Sequence, residues 1–121
     1  MLLIALWCLG LFLFIPKTSP ADEPDINSLI YTTAVKYHIK PELLRKIAKC
    51  ESNFNPVAQN PRSTASGIFQ FINSTFINQA NAYGLPVGNK NDPNVQIELA
   101  AEMIADGKIG HWKASRDCWS K

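Results

Sequence analysis

The sequence predicts a mainly α-helical fold in one small domain. Three observations predict it. Hydrophobic residues make up 46% of 121 positions, enough for one core and too much for a disordered chain. Apolar residues recur at helical spacing in several stretches, each bounded by a proline, a glycine or a capping side chain. Gly67 to Ile72 reads as a short apolar piece, either strand-like or a tight connection. The formal net charge of +2 is a weak field and gives no sign of a nucleic-acid binder.

The first segment reads as an address. Residues 2 to 15 are apolar apart from Gly10, too short for an ordinary membrane span and suited to the core of a secretory signal. Small residues Ser19 and Ala21 suit a cut after Ala21, giving a signal over 1–21 and a mature domain over 22–121. No Lys or Arg precedes the apolar run, so an uncleaved N-terminal anchor is the alternative. Export removes Cys8 and leaves Cys50 and Cys118, an even pair that reads as one disulfide in an oxidising compartment.

The elements follow in order. Pro24 and Asp25 open a helix whose inward face carries Ile26, Leu29, Ile30, Thr33 and Tyr37. Lys40-Pro41 breaks it, and Pro41 suits the first turn of a second helix running to about Ser52. That helix buries Leu44, Ile47, Ala48 and Glu51. Asn53 to Ser66 is a loop rich in asparagine, proline and small polar residues. Asn73 or Ser74 is expected to cap a third helix that stops at Gly84. Asp92-Pro93 opens a fourth, ending near Asp106 before Gly107. A last short helix is expected over Trp112 to Trp119.

Glu51 is the most informative residue. It lies seven, four and three positions after Leu44, Ile47 and Ala48, which puts a carboxyl on the apolar face. It also sits at a helix C-terminus, where the dipole is negative. Both effects favour the protonated form, as a general acid needs.

The residues around it carry a resemblance. Glu51-Ser52-Asn53-Phe54-Asn55-Pro56, Ala58-Gln59-Asn60 and Ser66-Gly67-Ile68-Phe69-Gln70-Phe71 resemble the lytic transglycosylase family, related in fold to goose-type lysozyme. Thr75, Tyr83-Gly84 and Asp92-Pro93 fit further places of that pattern. The resemblance covers about residues 25–119 and implies a lysozyme-like α+β fold with minimal β structure. It implies that Glu51 protonates the glycosidic oxygen between N-acetylmuramic acid and N-acetylglucosamine. The same group, now a carboxylate, would take a proton from the muramoyl 6-hydroxyl, which closes a 1,6-anhydro ring. No second acid lies between Asn53 and Asn91, and an intramolecular nucleophile removes the need for one.

The resemblance also implies roles for Ser52, which orients the acid or its helix, and for Gln70, Gly67 and Tyr83 along the sugar cleft. Phe69 replaces the usual methionine. The family often places a tyrosine in its last helix to reach the acid; Met103 stands there and cannot donate a hydrogen bond. The C-terminal residues 112–119 resemble small exported members and resuscitation-promoting-factor-like domains, which implies a Cys50–Cys118 bridge bracing the acid's helix. The expected substrate is the peptidoglycan glycan strand, in the periplasm or cell wall. Family members of this size imply work for a secretion, conjugation or pilus apparatus. A muramidase using water, or a wall-binding module with weak activity, is the alternative.

Other residues carry less. His38 and His111 lack partners at ligand spacing, so neither metal nor cofactor is expected. Lys36, Lys40, Arg45, Lys46 and Lys49 read as a solvated face, and Trp112 and Trp119 as core. The domain is expected to be a monomer.

Overall fold

The computed structural model describes residues 25–121, and the expected signal with its cut after Ala21 lies outside them. Among the described residues five α-helices and one 3-10 segment follow in order: α1 Ile26–Lys36, α2 Pro41–Ser52, α3 Asn73–Ala82, α4 Pro93–Ala105, the 3-10 segment Ile109–Ser115 and α5 Arg116–Trp119. Among the described residues there is no sheet. Two isolated bridges, Gln59 with Ser66 and Ser66 with Phe71, are the β structure present.

The helix ends follow their local chemistry. Asp25 accepts from the Ser28 backbone N–H at 2.7 Å and starts α1. Pro41 occupies the first turn of α2, where its missing N–H costs nothing. Asp92 caps α4 through the Asn94 N–H at 2.9 Å, with Pro93 just inside. Beyond α2, Asn53 and Phe54 both adopt positive φ, 53° and 64°. Asn tolerates this region, whereas a bulky Phe does so only under constraint. Phe54 is held by packing on the core and by the Arg45 guanidinium, 5.5 Å from its ring centroid.

Two expectations need correction. Ile72, not Asn73 or Ser74, occupies the cap position of α3. The Asn73 side chain accepts from Lys90 Nζ at 2.9 Å, and the Thr64 hydroxyl takes the Asn73 N–H at 3.0 Å in place of a cap. The last helix is also split. The backbone leaves helical geometry at Trp112, whose carbonyl accepts from Trp119 Nε1 at 3.1 Å.

α4 is the central helix. Val95, Gln96, Ile97, Leu99, Ala100, Ala101 and Met103 are buried on it, too many for one stripe. Ile30 and Ala34 of α1 and Leu44, Ile47 and Ala48 of α2 join the same core. Fully burying a side chain such as Leu44 contributes about 1.5–3 kcal/mol. Phe69, Phe71 and Trp112 form the aromatic part of the core, with Phe71 and Trp112 centroids 5.8 Å apart. A Cys50–Cys118 disulfide ties α2 to α5 across a sequence separation of 68.

Candidate active site

Helical periodicity delivers Glu51 to the boundary of the core. Leu44, Ile47 and Ala48 are buried on its own face, and Glu51, one turn later at the end of α2, is only half-buried. Burial pushes its carboxyl above the ordinary carboxylate value, and a hydrogen bond from Ser115 pulls the other way. Burial is the larger effect. The Ser115 hydroxyl donates to Glu51 Oε1 at 2.6 Å. Among the described residues no neighbouring charge moves the Glu51 carboxyl, and none forms an ion pair with it.

Ser52 faces the other way. Its Oγ donates to the Ile68 carbonyl at 2.8 Å and accepts from the Asn55 N–H at 3.1 Å. It therefore fastens the end of α2 to the 66–71 segment, which is a tight connection rather than a strand.

Gly67 has φ of 84°, which glycine adopts freely. The close approach there is made by protein. A Cβ at Gly67 would stand 2.2 Å from Gln96 Nε2. Gln96 is fully buried and spends its amide on this segment and the loop before α4: Nε2 donates to the Ser66 and Lys90 carbonyls, both at 3.0 Å, and Oε1 accepts from the Phe69 N–H at 2.9 Å. On the side a Cβ would occupy, Gly67 admits an amide.

Gln70 also carries positive φ, 54°. Its Nε2 donates to the carbonyls of Gly67 at 2.8 Å and Ala58 at 3.2 Å, so both N–H groups are used internally. Its oxygen, the acceptor, is the end left for a ligand. Phe69 is buried, with its carbonyl taken by Trp112 Nε1 at 3.1 Å.

The structure thus gathers Glu51, Ser52, Gly67 and Gln70 around the end of α2 and the 66–71 connection. It does not bring Tyr83 into contact with them. Tyr83 lies just past the C-terminus of α3, about 15 Å along that helix from its start. Its hydroxyl donates to Asp106 Oδ2 at 2.8 Å, with Lys108 Nζ 4.9 Å from its ring centroid. Met103 is buried in the core.

Ser115 and Gln96 are the residues that sequence reasoning missed. For Ser115 a signal existed. Cys50 precedes Glu51, and Ser115 stands three residues before Cys118, one turn of chain. A bridge between those cysteines draws the Ser115 segment toward the acid, and the disulfide has Cα atoms 6.1 Å apart. For Gln96 the only hint was a polar residue in the buried stretch of α4. Among the described residues no three His, Cys, Asp or Glu side chains cluster in a way that could hold a metal ion.

The model of a family described as the transglycosylase SLT domain matches residues 28–113. That span contains Glu51, Ser52, Gly67, Gln70 and Gln96 and stops short of Ser115 and Cys118. Curated relatives include two proteins called probable transglycosylase SceD, from Staphylococcus aureus strains Newman and USA300. Each is 40% identical to this chain over 70 residues, covering 57% of this chain and 30% of the relative. The match spans about a third of the length of those relatives.

Proposed function

We propose a reaction from the premise that the chain belongs to the transglycosylase SLT domain family. It cleaves the β-1,4 bond between N-acetylmuramic acid and N-acetylglucosamine in peptidoglycan and leaves a 1,6-anhydromuramoyl end. The observation that carries this reading is the environment of Glu51: a half-buried carboxyl, raised by burial, with one neutral donor and no second carboxylate in its field. A retaining hydrolase sets its two carboxyls about 5–5.5 Å apart, and a partner that close would itself shift Glu51.

The chemistry then needs one group in two states. Protonated Glu51 gives its proton to the glycosidic oxygen as the bond to the anomeric carbon breaks. The resulting carboxylate takes the proton of the muramoyl 6-hydroxyl as that oxygen bonds to the anomeric carbon. The nucleophile belongs to the substrate, so its attack is intramolecular. Gln70, with its N–H groups used internally, offers Oε1 as an acceptor for a sugar hydroxyl or acetamido N–H.

The disulfide supports an exported enzyme, since such bonds persist in oxidising compartments. Its place is the periplasm or cell wall, either free after loss of residues 1–21 or tethered through residues 2–15. Local opening of the wall suits it, with a secretion, conjugation or pilus apparatus as the class of partner.

The test is a digest of purified peptidoglycan with the full oxidised chain, analysed by mass spectrometry beside Glu51→Gln. Products one water lighter than hydrolytic ones, absent with the variant, are expected. Hydrolytic products lost with the variant would keep Glu51 and make the enzyme a muramidase. Equal activity of the two proteins would remove Glu51 from the chemistry.

A further inference from the structure

The tail beyond the family match supplies the Glu51 carboxyl with its hydrogen bond. Ser115 closes the 3-10 segment, and its Oγ lies 2.6 Å from Glu51 Oε1 and 3.2 Å from the Trp112 carbonyl oxygen. A serine has one proton to give. The Trp112 carbonyl already accepts from Trp119 Nε1 at 3.1 Å, so it stays satisfied without Ser115. The hydroxyl proton is therefore free for Glu51, at the shorter distance.

The two carboxyl oxygens of Glu51 are then unlike. Oε1 is taken by Ser115. Oε2 has no protein partner and is not sealed from solvent, since Glu102 Oε2 is the buried side-chain atom without a partner among the described residues. A donor on Oε1 makes that oxygen the carbonyl of the acid and leaves the acidic proton on Oε2, the atom open to a ligand. Once the proton leaves, the same contact becomes a hydrogen bond to a carboxylate, roughly twice as strong as a neutral one. A contact that strengthens as charge develops lowers the barrier rather than the binding energy.

Among the described residues no other side chain hydrogen-bonds the Glu51 carboxyl. Ile47 and Ala48 on its face are apolar. The ionisable residues on the elements against it, Lys49 on α2, His111 and Lys113 on the 3-10 segment, and Arg116 and Asp117 on α5, form no ion pair with it. The disulfide joins the residue before Glu51 to the residue three past Ser115, and so limits how far donor and acceptor can part.

We propose that Ser115 is the positioning residue of the acid, fixing the proton on Glu51 Oε2 and holding Oε1 as charge develops. This rests on the reading of Glu51 as the acid. The experiment compares the full oxidised wild type, Ser115→Ala, Ser115→Thr and Glu51→Gln. Rates on soluble glycan fragments of peptidoglycan are measured against pH, and the Glu51 side-chain carboxyl carbon is titrated by NMR without substrate.

Ser115→Ala should lower kcat about tenfold to hundredfold, the worth of one hydrogen bond to a charged group, with KM unchanged. Its alkaline limb and the Glu51 titration should both move to higher pH, because the lost donor favours the ionised form. Ser115→Thr should restore both. A lower kcat with an unmoved Glu51 titration would overturn the proposal, and so would an unchanged kcat. Activity retained by Glu51→Gln would instead overturn the acid reading, while the NMR titration would still read the Ser115 contact directly.

Discussion

Two partly buried places among the described residues bring a hydroxyl to a carboxyl, and they differ in what surrounds the pair. At the end of α2, Glu51 has one neutral donor and a free oxygen. On the α1–α4 face, the Tyr37 hydroxyl bonds Glu98 Oε1 and also lies 2.7 Å from Glu102 Oε1. Lys36 Nζ adds an ion pair to Glu98 at 2.8 Å. The second cluster is cross-linked: its phenol ties two carboxyls, one of which also has a cation. Its job is to join two helices. The first pair is less connected, and a carboxyl left with one neutral partner and one open oxygen is free to change its proton. Connection separates the cross-linked acids from the one proposed for chemistry; burial does not, since both are partly covered.

That contrast can be broken by substitution, and the largest effect belongs to Glu51→Gln. Loss of a general acid should cost about 10²–10⁴-fold in rate, with little change in thermal stability at low pH. The sign of the stability change with pH is also fixed. A carboxyl raised in the folded state contributes stability below its ordinary value of 4.5 and loses it as pH rises through the folded value. Glu51→Gln should abolish that slope, as read by urea unfolding across pH. A wild type with no such slope would break the contrast.

Gln96→Leu should come next. It leaves the Phe69 N–H and the Ser66 and Lys90 carbonyls without their partner, at about 1–3 kcal/mol for each buried group left unmade. A loss of about 3 kcal/mol in unfolding free energy is expected. A loss under 1 kcal/mol would show that the 66–71 connection holds itself.

Tyr37→Phe should be the smallest, about 1 kcal/mol of stability, with peptidoglycan cleavage unchanged. Burial first, then Glu98 and Glu102, push the Tyr37 hydroxyl well above its ordinary 10.0. The folded state therefore holds this proton more tightly than the unfolded one. Its contribution is complete below about pH 10 and fades above that, so wild type should lose stability there faster than Tyr37→Phe. Reduced cleavage by Tyr37→Phe would link the two clusters after all.

The same contrast explains what was legible in the sequence. The start and end of α2 follow from Pro41 and the loop after Ser52, and the placement of Glu51 from its spacing to Leu44, Ile47 and Ala48. Periodicity names a face, and α2 obeys it. It does not name the partner on that face. Ser115 reaches Glu51 from 64 residues away and Gln96 reaches Phe69 from 27, and no local pattern encodes either contact. Gly67 shows the same limit: its type signals a close approach, but the visitor is the Gln96 amide. The α3 cap failed for a related reason, since Lys90 claims the side chain that would have capped.

The disulfide has a topological consequence. Cys50 and Cys118 close the chain into a covalent ring, with Glu51 just inside one end and Ser115 just inside the other. Among the described helices, α1 and the part of α2 before Cys50 lie outside it. A single cut in the exposed stretch around Arg62 would open the ring into a line without separating acid from serine. Trypsin nicking at Arg62 should yield two fragments on a reducing gel and one band on a non-reducing gel. The nicked protein should keep the Glu51–Ser115 pair on one molecule until a reductant divides it.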